Sequence, residues 1–169
     1  VSLVVPFYDI MPDVEPNLPA ARAAEIFQNR LSEIAGWRDD RLSRVTYHGP
    51  DKAKKFVHTL KSNLAYIFIN RDGYRIQPGS RSYLRSWIRD GAMTSSAILR
   101  MGNTMEVREY LTWYAPNIFA DGRVPCVVDD RGADGTPEND SNGEFIYAFL
   151  QYYYFTQDKA FLREHFPQI

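Results

Sequence analysis

Residues 78–92 read PGSRSYLRSWIRDGA, and this stretch decides how the rest of the chain is organised. A Pro-Gly pair is a strong turn signal, so it predicts a turn that leads into a helix. The start of that helix carries Arg, Asp and Trp side chains, whereas the residues from Met93 to Leu99 are uncharged. A helix that is polar at its start and apolar along its body is typical of a buried element with a site at one end.

A second stretch has the same plan. Residues 137–144 read PENDSNGE, and the following residues, Phe145 to Thr156, include no charged side chain. Four further helices follow from apolar residues at helical spacing, and Gly36 and Gly102 stand where helix ends are expected. The predicted helices are 20–35, 53–70, 82–101, 103–114, 141–156 and 158–166. The sequence therefore predicts a mainly α fold with a short extended N-terminal segment at Ser2–Val5.

Charge placement predicts how these helices are layered. The helices that begin near Ser82 and Ser141 are almost uncharged, which predicts burial on all sides. The helices that begin near residues 53, 103 and 158 are amphipathic, with Phe56, Leu60, Leu64 and Ile67 facing inward on the first and Glu106 facing outward on the second. This alternation predicts a partial two-layered ring of antiparallel helical hairpins. Its two inner helices run parallel and begin at the same end, so that Asp90 and Asp140 meet there.

Composition excludes several functional classes. The 169 residues carry 44% hydrophobic and 24% charged side chains, an ordinary globular composition. A net charge of -1 gives no electrostatic case for binding nucleic acid or an anionic membrane surface. No apolar run approaches the ~20 residues needed to span a bilayer. The single cysteine, Cys126, excludes an internal disulfide, and the three histidines lack metal-ligand spacing, so we expect neither a metal nor a cofactor.

The two helix starts resemble motifs of the six-hairpin glycosidases. The first is SYLRSWIRDGA at residues 82–92, together with IQPGSR at residues 76–81, and the second is ENDSNGE at residues 138–144. This superfamily of (α/α)6 barrels includes glucoamylases, trehalases and glycogen-debranching α-1,6-glucosidases. The resemblance covers roughly residues 53–166 and implies that these are the first hairpins of a partial (α/α)6 toroid. Residues 1–52 would then form an N-terminal linker and helix leading into the barrel, and residues 53–169 a truncated catalytic domain.

By position, the resemblance implies roles for six residues in binding a carbohydrate. Arg89 and Asp90 correspond to the pair that binds hydroxyls of the innermost sugar, and Trp87 shapes the pocket beside them. Asp140 corresponds to a second hydroxyl-binding residue, with Asn139 and Glu144 close to it. The resemblance also implies that the general acid and base lie beyond Ile169. We therefore expect the chain alone to be inactive and to need the remaining hairpins of the same protein.

These residue types suit a sugar, although each also has a purely structural interpretation. Carboxylates and guanidinium groups bind adjacent hydroxyls at two points, and aromatic planes cover the C–H face of a sugar ring. Alternatively, Asp90 favours the positive end of a helix dipole, and Glu144 forms a capping box with Ser141. Asp140 is equally a turn or cap residue, and Trp87 a core residue.

The resemblance implies an inverting glycoside hydrolase that acts on an oligosaccharide or glycoside. Hydrolysis with inversion needs two carboxylates ~6.5–9.5 Å apart, one of them protonated. Two alternatives stay open. A glycoside phosphorylase of the same fold would use phosphate in place of water, and a basic pocket would favour it. A non-catalytic helical scaffold that binds carbohydrate is the other.

Overall fold

The computed structural model describes residues 19–79 and 83–169. The chain consists of two compact units, residues 1–41 and residues 42–169. Helix is the main secondary structure, as the sequence predicts, and a small antiparallel sheet accompanies it. The predicted extended segment at Ser2–Val5 lies outside the described residues.

The first unit contains one long helix, α1 at Ala20–Leu42, which ends at the boundary with the second unit. The predicted helix is confirmed, but its predicted end at Gly36 is wrong, because the helix continues for six more residues. Nothing lies within 4 Å of the position that a Cβ atom would take at Gly36, so this glycine is an ordinary helical residue. A glycine at φ < 0 does not by itself terminate a helix.

The second unit has five helices and three short strands among its described residues, with brief 3-10 turns at Asp51–Ala53, Ala115–Asn117 and Phe166–Gln168. The predicted helix bounds agree with these elements to within a residue or two, except at the start of α3. The helices are α2 Lys54–Asn70, α3 Ile88–Arg100, α4 Thr104–Tyr114, α5 Ser141–Thr156 and α6 Lys159–His165. The strands are β1 Ser86–Trp87, β2 Val127–Asp129 and β3 Gly132–Ala133, in the order β1-β2-β3.

Gly102 joins α3 to α4 in a tight hairpin, as the sequence predicts. It has φ +80°, a left-handed conformation that glycine adopts without a steric penalty. Its N–H donates to the carbonyl of Leu99 at 2.9 Å, and the N–H of Asn103 donates to the carbonyl of Ile98 at 3.1 Å. These two bonds form a Schellman motif, which satisfies the last carbonyl groups of α3. The chain therefore reverses here, and α4 packs back against α3.

The largest fully buried side chains in the core of this unit are aromatic. Tyr110 and Tyr114 on α4, Phe145 and Phe149 on α5 and Phe161 on α6 are each at most 2% exposed. Neighbouring rings along this series lie 4.9–6.3 Å apart between centroids. Burying one large apolar side chain contributes about 1.5–3 kcal/mol to the free energy of folding. The aromatic contacts therefore do much to hold α4 and α6 against α5.

The predicted start of α3 at Ser82 is wrong. Ser86 and Trp87 form β1, which pairs antiparallel with β2 through Ser86–Val128 and Trp87–Val127, and the helix begins only at Ile88. The N–H of Ile88 donates to the carbonyl of Cys126 at 3.0 Å, and Ser86 Oγ donates to the carbonyl of Ile76 at 2.7 Å. Partners about ten and about forty residues away in the sequence thus hold this segment extended. The sheet also adds two strands to residues 115–140, which lie between two of the predicted helices.

Three predictions about burial need correction. Helices α3 and α5 are buried along one side each, whereas side chains such as Met93 at 66% and Tyr154 at 60% are exposed. On α2 only Leu64 of the predicted inward stripe is fully buried, and Phe56 is 65% exposed. Glu106, predicted to face solvent, is 1% exposed, with the guanidinium of Arg44 at 3.8 Å from its carboxylate. A helical pattern cannot anticipate that cation, because Arg44 reaches Glu106 only through the tertiary fold.

Candidate functional site

Helices α3 and α5 run parallel and begin at the same end. At their starts, Arg89 Nη1 donates to Asp140 Oδ2 at 2.8 Å. About two turns later, Ser96 Oγ lies 3.2 Å from Tyr147 Oη and 3.4 Å from Gln151 Oε1. The partners advance together along both helices, which is possible only for a parallel pair. These contacts confirm the predicted direction of the two helices and bring the two motif stretches together.

Arg89 forms the centre of a charged cluster at this end. Its Nη1 atom donates to Asp140 and also to Glu138 Oε2 at 3.0 Å. The side chains remain partly exposed, at 43% for Arg89, 43% for Asp140 and 30% for Glu138. Arg89 Nε and Nη2 make no hydrogen bond to the described residues, so most of its donors are available to a ligand. Exposed ion pairs contribute little to folding stability, so the cluster is more informative about binding than about the fold.

Electrostatics keep this cluster charged. The hydrogen bond to Asp140, and then the one to Glu138, raise the pKa of Arg89 above its ordinary value. The hydrogen bond from Arg89 likewise lowers the pKa of Asp140 below the usual range of a carboxylic acid. Asp140 is therefore ionised at neutral pH and accepts hydrogen bonds. A general acid needs the opposite shift, so Asp140 is suited to binding hydroxyl groups and unsuited to donating a catalytic proton.

A pocket of about 500 Å³ opens beside the cluster. Asn139, Asp140 and Glu144 contribute polar groups to it, and Met93 and Tyr147 contribute apolar surface. Gly143 completes the lining and leaves the start of α5 accessible, since nothing lies within 4 Å of the position that its Cβ atom would take. Hydrogen-bonding groups on one side and apolar surface on the other are the general features of a small-molecule site.

Asp90 and Trp87 do not line this pocket. Asp90 lies on the side of α3 near the buried Tyr110, whose pKa is raised by burial and further by the negative charge of Asp90. Trp87 belongs to β1, and the guanidinium of Arg85 lies 5.3 Å from the centroid of its ring. Of the six predicted residues, Asn139, Asp140 and Glu144 thus line the pocket, and Arg89 lies beside it through its hydrogen bond to Asp140. The predicted meeting of Asp90 with Asp140 is not seen among the described contacts.

The structural interpretations of Asp140 and Glu144 can be compared with the contacts. Asp140 is the N-cap residue of α5, but its side chain makes no capping hydrogen bond and instead binds Arg89. Ser141 is the first residue inside the helix, so it cannot serve as the cap of a Ser141–Glu144 capping box. The N–H of Glu144 donates to the backbone carbonyl of Asp140 at 2.9 Å. Its carboxylate is therefore left to line the pocket.

Sequence reasoning did not identify Glu138 as a site residue, and it did not identify the partners of Arg85. Glu138 lies in the quoted motif stretch, but only the fold shows that it reaches Arg89. Arg85 donates to Asp129 at 2.7 Å and to Asp134 at 3.0 Å, which fastens β1 to the segment around β2 and β3. The Asp-rich composition of residues 129–134 was the available signal, although its partner could not be read from the sequence.

The described residues offer few other sites for a cofactor. Among them, no group of three His, Cys, Asp or Glu side chains is arranged to hold a metal ion. The Cys126 thiol is buried, and its pKa is raised chiefly by that burial. None of the described helices is long and apolar enough to cross a membrane.

The chain was compared with protein-family models, with curated proteins and with solved structures. It matches none of them.

Proposed function

We propose that this chain supplies the sugar-binding part of an inverting glycoside hydrolase with the six-hairpin architecture. The observation that carries the proposal is the Arg89 cluster, in which two carboxylates and one guanidinium meet at the start of two parallel helices. Further support comes from the order of the helices, because each hairpin pairs one of these parallel helices with an antiparallel neighbour. In this view residues 53–169 are part of an (α/α)6 toroid whose substrate enters at the end marked by Arg89.

The free hydrogen-bonding atoms of the cluster define how a sugar would bind. Arg89 Nη2 and Nε donate, while the second carboxylate oxygens of Asp140 and Glu138 accept. A pair of adjacent hydroxyls meets both requirements, since each hydroxyl donates one hydrogen bond and accepts others. Charge-assisted hydrogen bonds of this kind contribute about 1.5–3 kcal/mol each. Tyr147 and Met93 would cover the C–H face of the ring.

In this proposal the chain provides recognition, and the acid–base pair comes from other parts of the protein. The lowered pKa of Asp140 makes it unsuitable as the general acid, because an inverting reaction needs one carboxyl group that is protonated. The same observation favours a second candidate function, a non-catalytic helical module that binds carbohydrate. A phosphorylase is less well supported, because two carboxylates neutralise Arg89 and the pocket lining includes two more acidic than basic side chains.

The test is a binding titration with a matched control. Isothermal calorimetry with maltotetraose, cellotetraose and trehalose should detect binding of at least one sugar. Asp140→Asn should weaken that binding about tenfold or more, since it removes a charged acceptor and its ion pair. Asp121→Asn is the control, because Asp121 also pairs with an arginine, Arg123, at 2.8 Å and also has a lowered pKa, but lies outside the pocket.

Three results would decide the matter. Equal affinities of the Asp140→Asn variant and the unaltered chain would refute the proposed role of the cluster, as would the absence of binding to every sugar. Release of reducing sugar by the protein that contains this chain would favour the hydrolase over the non-catalytic module. A reaction that depends on added phosphate would instead favour the phosphorylase.

A further inference from the structure

A second pocket, of about 550 Å³, lies between α4 and α6 and shares no residue with the pocket beside the Arg89 cluster. It is formed by α4, α6 and the turn that follows α2. Tyr74, Met105 and Trp113 give it apolar surface, and Arg108, Glu109 and Glu164 give it charge. Its volume falls in the range typical of small-molecule sites, about 300–1,000 Å³.

Two aromatic rings line this pocket. Tyr74 is 57% exposed, in the turn closed by the Asp72–Arg75 bridge. Trp113 is half-buried and held in place by the rings of Tyr110 at 6.2 Å and Tyr114 at 5.7 Å between centroids. The guanidinium of Arg75 also lies 5.6 Å from the centroid of the Trp113 ring, so a ligand would stack on the part of the ring that Arg75 leaves open. A ring fixed by its neighbours loses little conformational freedom when a ligand stacks on it, so Trp113 is suited to form the base of a site.

The polar groups of the pocket are partly fixed as well. Arg71 donates to Glu109 Oε2 at 3.0 Å, which orients the carboxylate, and the Glu109 side chain stays 41% exposed. Arg108 lies over the ring of Phe161, at 5.0 Å from its centroid. Glu164 is exposed, and its side chain makes no hydrogen bond to the described residues. The pocket therefore presents an oriented acceptor, a free acceptor and a positioned donor around an aromatic base.

This mixture restricts the ligand class. Two carboxylates disfavour a phosphate or another anion, and Arg108 disfavours a cation. Three charged side chains disfavour a purely apolar ligand, because each would lose its hydration without gaining a partner. A neutral ring that carries hydroxyls meets both the aromatic and the charged surfaces. We propose that this pocket is a second binding site for a neutral oligosaccharide, in which a sugar ring stacks on Trp113 and Tyr74.

The proposal does not rest on the Arg89 cluster, and tryptophan fluorescence tests the two sites separately. The chain has three tryptophans, of which Trp113 lines this pocket and Trp87 lies in β1. Titration with maltotetraose, cellotetraose or xylotetraose should produce a saturable change in emission. That change should disappear in Trp113→Phe, which keeps an aromatic ring in the core, and persist in Trp87→Phe.

Tyr74→Ala should weaken the binding seen by Trp113 about fivefold or more, because it removes one of the two stacking rings. Tyr66→Ala is the matched control, since Tyr66 is 64% exposed but does not line the pocket, and it should leave the affinity unchanged. Asp140→Asn should also leave the Trp113 signal intact, even where it abolishes binding at the first site. The proposal is overturned by the absence of a saturable change with all three sugars, by unaltered affinity in Tyr74→Ala, or by equal losses in Tyr74→Ala and Tyr66→Ala.

Discussion

Replacing Gly91 by alanine tests how closely α3 and α4 approach below the proposed sugar site. Gly91 is buried in the first turn of α3, directly after Arg89 and Asp90. A Cβ atom at this position would lie 1.9 Å from Tyr110 Oη and 2.4 Å from Tyr110 Cζ. Real Cβ atoms essentially never come within 3.0 Å of another heavy atom in this way, so either Tyr110 or the helix must move.

The expected cost follows from two opposing terms. Overpacking a core typically costs about 1–3 kcal/mol. Alanine in place of glycine inside a helix returns about 1 kcal/mol. Tyr110 is 0% exposed and packs against the rings of Trp113 and Tyr114, so it has little room to give way. The contact is also severe, which places the steric cost near the upper end. We therefore expect Gly91→Ala to lower the free energy of unfolding by about 2 kcal/mol.

Urea denaturation followed by circular dichroism measures this effect, with Gly143→Ala as the matched control. Gly143 also lies in the first turn of a helix in the second unit, but nothing lies within 4 Å of the position that its Cβ atom would take. Gly143→Ala should be neutral or stabilising by up to about 1 kcal/mol. The double variant Gly91→Ala/Tyr110→Phe should stay destabilised, because the ring carbon would remain at 2.4 Å. A Gly91→Ala variant as stable as Gly143→Ala would refute the close packing of the two helices.

Two further predictions concern the sheet and the core beside it. Hydrogen bonds from Thr136 and Arg85 lower the pKa of Asp134 from 3.8 to about 2. The stability that this carboxylate contributes is therefore complete only well above pH 3.8, and it is lost as the pH falls through 3.8 towards 2. The urea concentration at the unfolding midpoint, measured at pH 6, 4 and 2, should fall less steeply with decreasing pH in Arg85→Met than in the unaltered chain. Parallel pH profiles of the two proteins would contradict this prediction. The second prediction concerns Cys126, which is 3% exposed and whose thiol pKa is raised by burial. A thiol reagent at pH 8 should therefore label Cys126 only after the chain has been unfolded in urea. Rapid labelling of the folded chain would contradict the burial of this thiol.

Local patterns in the sequence determined most of the helices of this protein. The periodicity of apolar residues located α2, α4 and α6, and an uncharged run after a polar turn located α5. Gly102 marked the turn between α3 and α4, since few other residues adopt its positive φ. Charge placement also indicated that α3 and α5 begin at the same end. These features depend on residues close together in the chain, and so a single sequence carries them.

Tertiary structure alone decided which side chains meet. Ser86 and Trp87 are extended because they pair with residues 127–128, and nothing in their own neighbourhood specifies that partner. Arg89 meets Glu138 and Asp140 across about fifty residues, whereas the adjacent Asp90 is turned away by the ~100° that separates successive helical residues. The sequence by itself therefore determined the helices and the end at which the motif stretches lie. Packing selected the residues that form the site there, because contacts between distant segments arise only when the helices are assembled.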